Sequence, residues 1–364
     1  MMKLYNGPIH DIDLDEPPDT RWIQFASSQA GAIHKLLADI ETCVDEELSS
    51  RLCAPLRAVL MAALSGGGSL LRYVVSWFGE EYTQELACIA KHADVPVGKL
   101  MLGNLIYDFT SLSEMYGCGC SSVSFEVNES PLLVRNMDWV MPRSTGRHTK
   151  VIRFHRGGKA YTAVGVAGMV GVVSAMSDDW AVTVNQAPIV EKLNTIAGVL
   201  SSPTLLCRWP ALQRVRVVCD QLPSYNGMVL GLRGHKALVP FFAHVVGTKT
   251  REHTVVTHVG NDSTIRTRRH SIVQTNHYVA GEYKAYNMPE ITADGCRWST
   301  FNRYRKVKQR LQTALDEKEF TQEVAKQPVR ALRLLASATD EDTMQQMVLW
   351  PARKQMVLKT RLNG

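Results

Sequence analysis

A small-residue loop that ends at a cysteine, followed by two apolar runs, constrains the fold of this chain more than any other feature. The loop covers residues 117–120. The alternating apolar pattern over 123–127 predicts a strand with one buried face, and a polar turn separates it from the second run. Because strands joined by a short turn lie side by side, we predict that the second strand brings Arg135 and Asp138 back beside Cys120.

A thiol, a guanidinium and a carboxylate in one place suit an activated nucleophile. A cation beside a cysteine favours the thiolate, which is the reactive form. Cys120 is therefore our candidate nucleophile, with Arg135 and Asp138 as its partners. The local sequence alone leaves two plainer interpretations open. Cys120 can be a buried structural cysteine, and Arg135 with Asp138 can be a salt bridge at a strand end.

The order of these residues carries a resemblance. Cys120-Ser121-Ser122-Val123 followed by Arg135-Asn136-Met137-Asp138-Trp139 resembles the start of the catalytic subunit of acid ceramidase and N-acylethanolamine-hydrolysing acid amidase. Both belong to the choloylglycine hydrolase group of N-terminal nucleophile (Ntn) hydrolases. Weaker matches run in the family's order from Asp13 to a hairpin at 347–358.

The resemblance implies an α+β fold, the four-layer αββα sandwich of the Ntn hydrolases, preceded by a mainly helical N-terminal segment. It divides the chain into residues 1–119, the small subunit after self-cleavage, and residues 120–364, the catalytic segment. Hydrophobic periodicity agrees in outline, with helical patterns first and β-branched runs later. We read 1–20 as an extended arm, and we predict helices within 22–112, 189–230 and 303–315, and strands near 151–154, 161–164, 170–173, 180–185, 242–246, 254–259 and 271–276.

The same resemblance implies cleavage between Gly119 and Cys120. Cys120 then carries a free α-amine, whose ordinary pKa of about 7.7–8.0 suits a base for its own thiol. Glycine at 119 permits the strained backbone that such an attack requires. By resemblance, Arg135 lies against the sulfur and Asp138 orients the new amine.

Two asparagines match the positions that hold the oxyanion in this family. Asn276 is the stronger match, and its side-chain amide would donate to the oxyanion without titrating. Asn185 ends a predicted strand and would line the same hole. The alternative for both is an asparagine that only forms a turn.

A late arginine completes the family's site. We favour Arg297 and keep Arg303 open, and either can simply face solvent. Trp139, His277 and Arg303 are our candidate substrate contacts. His277 and Tyr278 stand where the family has Tyr-Asp. We therefore expect the contacts on the substrate side to differ from the family's.

Composition excludes several classes of function. A formal charge of +6 with basic clusters at 266–270 and 303–306 predicts solvated faces, not a nucleic-acid surface. Cys118 and Cys120 form a Cys-x-Cys pair without further ligands, so we predict no metal. The cysteine pattern favours a reducing compartment, and the N-terminus shows no apolar signal segment, which predicts a cytoplasmic protein. The apolar stretch 58–71 is too short to span a membrane; it can be packed core or a helical hairpin at a substrate mouth.

Together these observations predict a self-cleaving N-terminal cysteine amidohydrolase without a cofactor. Cys120 would attack a linear N-acyl amide with an apolar acyl chain and form an acyl-thioester. The two pieces of the chain would stay associated. An acyltransferase of the same fold, passing the acyl group to an amine, is the alternative. An uncleaved, non-catalytic scaffold is the other.

Overall fold

The computed structural model describes most of the chain, namely residues 2–51, 69–112, 119–139, 143–189, 208–234, 236–259, 262–287, 300–339 and 343–361. The loop cysteine Cys118, the candidate arginine Arg297 and most of the apolar stretch 58–71 lie outside these ranges. No helix in the ranges given is long and apolar enough to cross a membrane.

Six strands form the first sheet, in which every neighbouring pair is antiparallel. In chain order they are β1 (Met2–Leu4), β3 (Ser121–Val127), β4 (Ser130–Asp138), β12 (Ser271–Gln274), β13 (Thr343–Trp350) and β14 (Gln355–Arg361). Their spatial order is β1-β14-β13-β4-β3-β12. The strand after Cys120 therefore lies between the strand that carries Arg135 and the strand that leads to Asn276.

Eight strands form the second sheet, in the order β11-β10-β9-β8-β7-β6-β5-β2. Its pairs are antiparallel except for β2 with β5, which is parallel. The strands are β2 (Ile9–Asp13), β5 (Thr149–Arg156), β6 (Lys159–Val166), β7 (Ser174–Ser177), β8 (Ala181–Gln186), β9 (Phe241–Val246), β10 (His253–Val259) and β11 (Asp262–Thr267).

Eight α-helices are described beside the sheets. They are α1 (Ile23–Arg51), α2 (Ser69–Ala93, kinked at Gly79), α3 (Val97–Asn104), α4 (Ile106–Leu112), α5 (Ala211–Asp220), α6 (Tyr225–Arg233), α7 (Thr300–Asp316) and α8 (Lys318–Lys326). Short 3₁₀ helices span Arg143–His148, Glu282–Tyr286, Pro328–Ala338 and Pro351–Arg353.

Apolar side chains join these elements through separate clusters. Phe125 and Trp350 of the six-stranded sheet pack with Val307 and Leu311 of α7 in one of them. A second cluster joins the two sheets, with Leu133, Met347 and Leu349 against Val151, Val164 and Val246. The largest holds the helices of the first hundred residues, α5 and α6 against the eight-stranded sheet. Burial on this scale is the main favourable term in folding.

The predicted hairpin after Cys120 is confirmed. Strands β3 and β4 pair with Ser122 opposite Arg135. The two residues between them, Asn128 and Glu129, have positive φ angles of 49° and 62°, as the tightest hairpin turns require. The hairpin at the C-terminal end, β13 with β14, is also confirmed.

Two local predictions were wrong. Residues 1–20 are not an arm, because β1 and β2 add to the edges of the two sheets. Their polar sequence reflects the exposure of edge strands. Residues 170–173 form no strand; the Val172 N–H donates to Leu212 O of α5 at 3.0 Å. An apolar run can thus be buried against a helix without joining a sheet.

Candidate active site

Cys120 lies immediately before β3 and is only 4% exposed. The residue before it, Gly119, donates its backbone N–H to the backbone oxygen of Asp138 at 3.0 Å. This bond ties the peptide in front of Cys120 to the end of β4. The backbone on both sides of the Gly119–Cys120 bond is therefore held by the β3–β4 pairing.

Arg135 lies beside the sulfur, as predicted. Its Nη2 is 3.3 Å from Cys120 Sγ, and the side chain is fully buried. Nη2 also donates to Val184 O at 2.6 Å, while Nη1 donates to Val173 O at 2.6 Å and to Ser174 Oγ. None of these partners is a carboxylate. Burying a guanidinium without an anion is costly, and none of the acceptors named here carries a full negative charge.

Arg303 holds the other side of Cys120. From α7, its Nη1 donates to Cys120 O at 2.9 Å and to Ser121 Oγ at 2.8 Å. Its Nη2 donates to Asn276 Oδ1 at 2.9 Å. The predicted solvated face is wrong for Arg303, because its side chain is buried and these donors bind protein groups. Its predicted contact with substrate stays a prediction.

Asn276 follows β12 and is partly buried. Its Nδ2 donates to Gln186 O at 2.9 Å, and its backbone N–H donates to Thr300 Oγ1 at 2.9 Å. A primary amide has two N–H donors, and the second has no partner among the residues that the structure describes. Asn276 is therefore oriented by β8 and α7, and one of its N–H donors is left for another acceptor.

Asn185 differs from its predicted arrangement. Its Nδ2 donates to Gln274 O at 3.0 Å and lies 3.4 Å from both Thr275 O and Ser122 Oγ. Both amide hydrogens therefore have acceptors at the end of β12. Donation to an oxyanion would require these bonds to be released, so the oxyanion role of Asn185 stays a prediction.

The remaining carboxylate and tryptophan of the motif are buried at the end of β4. Asp138 Oδ1 accepts from Thr343 Oγ1 at 2.5 Å, which fixes the carboxylate against β13. Trp139 is 3% exposed and belongs to the same apolar cluster as Cys120. Its predicted contact with substrate stays a prediction.

His277 is buried and packs against α7. Its ring stacks on Phe301 with centroids 4.3 Å apart, and Nδ1 lies 3.1 Å from the Oγ1 atoms of Thr275 and Thr300. Burial, and then the charges of Arg303 and another arginine, lower the pKa of His277 to about 4. The His277 imidazole is therefore neutral near pH 7 and packs against α7, and its predicted contact with substrate stays a prediction.

Sequence reasoning missed a set of polar residues between the sheets. Ser122 Oγ lies 2.9 Å from His244 Nδ1, and Ser174 receives a hydrogen bond from Arg135. These residues are separated in the chain and have no motif spacing, so only the register of the two sheets reveals them. In the parts of the chain that are described, no three His, Cys, Asp or Glu side chains group to hold a metal ion.

Several curated proteins are similar to this chain in sequence. No family model matches the chain. It is 24% identical over 276 residues to an acid ceramidase from Balaenoptera acutorostrata scammoni, covering 70% of this chain and 64% of the relative. It is 24% identical over 252 residues to an N-acylethanolamine-hydrolyzing acid amidase from Caenorhabditis elegans, covering 68% of this chain and 66% of the relative. The chain thus spans slightly less than two thirds of the length of these curated relatives.

A solved structure of a C. elegans N-acylethanolamine-hydrolyzing acid amidase (NAAA) ortholog is also similar. It aligns with a TM-score of 0.49 and 18% identity, over 64% of this chain and 93% of that one. The two acid ceramidase alignments each cover about 70% of this chain. A continuous stretch of that length includes Cys120 wherever it begins. In its sequence, the chain is a relative of the acid ceramidases and the N-acylethanolamine-hydrolyzing acid amidases.

Proposed function

We propose that the chain is a self-cleaving N-terminal cysteine amidohydrolase. Its substrate would be a linear N-acyl amide, similar to a ceramide or an N-acylethanolamine, as the names of the curated relatives suggest. We further propose that its two sheets and helices form the four-layer αββα sandwich of the Ntn hydrolases. One observation carries the proposal: the buried guanidinium of Arg135 lies 3.3 Å from Cys120 Sγ.

The acceptors described around Arg135 do not neutralise its charge. Its described acceptors are two backbone carbonyls and a hydroxyl, none of which carries a full charge. Two unit charges about 4 Å apart attract by roughly 4 kcal/mol at the effective dielectric constant of a protein near its surface. A thiolate at Cys120 would therefore form an ion pair with Arg135.

Maturation would begin with attack of Cys120 Sγ on the carbonyl carbon of Gly119. The C–N bond breaks as the S–C bond forms, the thiol proton passes to the Cys120 nitrogen, and a thioester remains. Water then hydrolyses the thioester, leaving a carboxylic acid on Gly119 and a free thiol and α-amine on Cys120. The bonds from Gly119 N to Asp138 O and from Arg303 to Cys120 O support this geometry by fixing both sides of the bond.

The mature site would repeat the same chemistry on substrate. Cys120 Sγ attacks the amide carbonyl, the amine leaves with a proton from the Cys120 α-amino group, and the acyl-thioester is then hydrolysed to an acid. The second N–H of Asn276 is suited to the oxyanion. Asp138, held by Thr343, is suited to orient the α-amine.

The two pieces would remain together after cleavage. Strands β1 and β2 of residues 1–119 pair with β14 and β5 of the catalytic segment. A buried ionic network reinforces them: Glu85 Oε1 lies 2.8 Å from Arg21 Nε and 3.1 Å from Arg216 Nη2. Arg216 lies in residues 120–364 and also pairs with Asp220, so separating the two pieces would break the buried bond between Glu85 and Arg216 while each keeps one other partner.

Intact mass under denaturing conditions tests the proposal directly. Wild type should give two pieces of 119 and 245 residues (364 − 119), whereas Cys120→Ala should stay whole. Cys88→Ala, which changes another buried free cysteine, is the matched control and should cleave like wild type. An uncleaved wild type at both acidic and neutral pH would favour the scaffold alternative instead.

Cleaved protein is then incubated with N-acyl amides that carry long apolar chains. Release of free fatty acid supports the hydrolase. Formation of a new amide only when a second amine is added would replace it with the acyltransferase alternative. A mature protein that does neither would overturn the proposed activity while leaving self-cleavage intact.

A further inference from the structure

A row of polar side chains lies between the two sheets, away from the sulfur. Alternate residues of a strand point to the same face, and on β3 these are Ser122, Ser124 and Glu126. Opposite them stand His244 of β9 and His253 of β10. Both serines and both histidines are completely buried, while Glu126 reaches the protein surface.

The five side chains form one continuous chain of contacts. Ser122 Oγ lies 2.9 Å from His244 Nδ1, and His244 Nε2 lies 2.8 Å from Ser124 Oγ. Ser124 Oγ lies 2.9 Å from His253 Nδ1. His253 Nε2 is 3.7 Å from Glu126 Oε1, which is within ion-pair range but longer than a hydrogen bond. At the other end, Asn185 Nδ2 lies 3.4 Å from Ser122 Oγ.

We propose that Ser122, His244, Ser124, His253 and Glu126 form a polarised relay, in which the charge of Glu126 fixes the direction of every hydrogen bond up to Asn185 beside the candidate site. His244 and His253 are then positioning residues. Their importance for catalysis rests on the function proposed above, whereas their protonation pattern does not.

The direction follows from the roles that each atom can take. The negative charge of Glu126 attracts an N–H and repels a lone pair, so it favours the proton on the nitrogen of His253 that faces it, Nε2. Neutral His253 then accepts at Nδ1 from the hydroxyl of Ser124. A serine has a single proton, so Ser124 must accept from His244.

The same logic continues to the site. His244 is therefore protonated at Nε2 and accepts at Nδ1 from the hydroxyl of Ser122. This leaves Ser122 without a proton for Gln274 O, 3.3 Å away. Gln274 O instead accepts from Asn185 Nδ2 at 3.0 Å, and Ser122 Oγ can accept the longer contact from the same amide.

The opposite direction is also complete, which makes the relay a two-state element. In that state His253 donates from Nδ1 to Ser124, Ser124 donates to His244 Nε2, and His244 Nδ1 donates to Ser122. The Ser122 hydroxyl then donates to Gln274 O and competes with Asn185 Nδ2 for that acceptor, which weakens the hydrogen bond of the Asn185 amide. At neutral pH this state is disfavoured, because it directs the Nε2 lone pair of His253 at the Glu126 carboxylate.

Burial keeps both histidines neutral near pH 7. Burial lowers the pKa of His253 to about 4, with Glu126 raising it and His270 lowering it further. Burial, and then the charges of Arg266 and His253, hold the pKa of His244 well below its usual value. Protonation of His253 below about pH 4 makes both of its nitrogens donors and so imposes the opposite direction on the relay.

Nitrogen-15 NMR of histidine-labelled protein tests the relay, because ring shifts distinguish the two neutral tautomers. At pH 7 both His244 and His253 should be Nε2–H in wild type and in Cys120→Ala. In Glu126→Gln, which removes the charge and keeps the shape, the Nδ1–H tautomer should rise at both histidines together. His270→Asn, which alters the exposed neighbour of Glu126, is the control and should change neither.

A third variant tests whether the coupling runs through the relay. The double variant Ser124→Ala with Glu126→Gln is compared with Ser124→Ala alone. The tautomer of His253 should still change between the two, and that of His244 should not. An Nδ1–H tautomer at either histidine in wild type would overturn the proposal. So would a change at His253 in Glu126→Gln that does not appear at His244.

The effect on the site is measured separately, as the rate of Gly119–Cys120 cleavage at pH 4 and pH 7. Glu126→Gln should change the ratio of the two rates by about threefold or more, equivalent to half a pKa unit, whereas His270→Asn should not. If the tautomers change in Glu126→Gln but the ratio of the cleavage rates at pH 4 and pH 7 does not, His244 and His253 are not positioning residues. Absence of cleavage in wild type would instead overturn the proposed function, and the tautomers would still decide the relay.

Discussion

Arg303 donates to the backbone oxygen of Cys120 at 2.9 Å although 183 residues of chain separate them. The same guanidinium reaches Asn276 Oδ1 at 2.9 Å. One planar, forked cation thus sets the distance between the candidate nucleophile and the candidate oxyanion donor. A lysine has a single point of charge and cannot span both acceptors.

We therefore expect Arg303→Lys to slow Gly119–Cys120 cleavage by about tenfold to a hundredfold, equivalent to the loss of one or two charge-assisted hydrogen bonds. The rate is followed by gel after expression is stopped. Arg305→Lys, on the exposed side of α7, should cleave like wild type. If Arg297→Lys slows cleavage and Arg303→Lys does not, Arg297 is the site arginine.

Removing the Glu85 carboxylate from the buried ionic network should lower the free energy of unfolding. Glu85→Ala leaves Arg21 and Arg216 buried without this carboxylate, and we expect a loss of about 3–5 kcal/mol in the free energy of unfolding. Urea unfolding of the uncleaved Cys120→Ala protein measures it. Glu41→Ala, which breaks a partly exposed pair with Lys99, should cost less than about 1 kcal/mol. Equal losses in the two variants would contradict this account.

His277 should make the protein less stable in acid. Its folded pKa of about 4 lies below the ordinary value of 6.5, so the unfolded chain binds its proton first as the pH falls. The free energy of unfolding therefore decreases from pH 6.5 to pH 4, by about 3 kcal/mol for this group. In His277→Asn that decrease should shrink, and in His270→Asn, at an exposed site, it should not. Denaturant unfolding at several pH values measures both, and an unchanged slope in His277→Asn would refute the assignment.

Asp108 should have the opposite effect. It is buried on α4, accepts from Ala211 N at 3.0 Å through Oδ1, and its Oδ2 has no partner within the described ranges. Burial raises its pKa from 3.8 to about 7, so the folded chain keeps a proton that the unfolded chain releases. The free energy of unfolding therefore falls as the pH rises from 4 to 7.

Asp108→Asn keeps the shape and removes the charge. At pH 8 it should raise the free energy of unfolding by up to about 4 kcal/mol, and it should flatten the dependence between pH 4 and 7. The exposed substitution Asp179→Asn is the control and should do neither. If the gain in stability of Asp108→Asn over wild type is no larger at pH 8 than at pH 5, burial does not raise the pKa of this carboxyl.

The sequence was most informative where the structure is local. The hairpin of β3 and β4 follows from alternating apolar residues on either side of a two-residue turn, and it predicts the contact between Cys120 and Arg135. Helix α7 was also visible, since Val307 and Leu311 are four residues apart on its buried face. Arg303 lies one step earlier on that same face, so its inward direction could have been read from the periodicity.

Other features depend on contacts that no local pattern records. The segment 170–173 has the composition of a strand, but tertiary packing against α5 decides its conformation. The relay requires β3, β9 and β10 to face one another in one register, and serine and histidine carry no apolar periodicity to reveal it. The orientation of the Asn185 amide likewise depends on carbonyls at the end of a distant strand.

The first thirteen residues also determine how the chain can be handled. With β1 on β14 and β2 on β5, they cover one edge of each sheet. A polypeptide that began at Cys120 would have β14 and β5 as edge strands in place of the polar strands β1 and β2, and free N–H and C=O groups on an edge pair readily with other chains. Residues 120–364 made alone should therefore aggregate more readily than the whole chain.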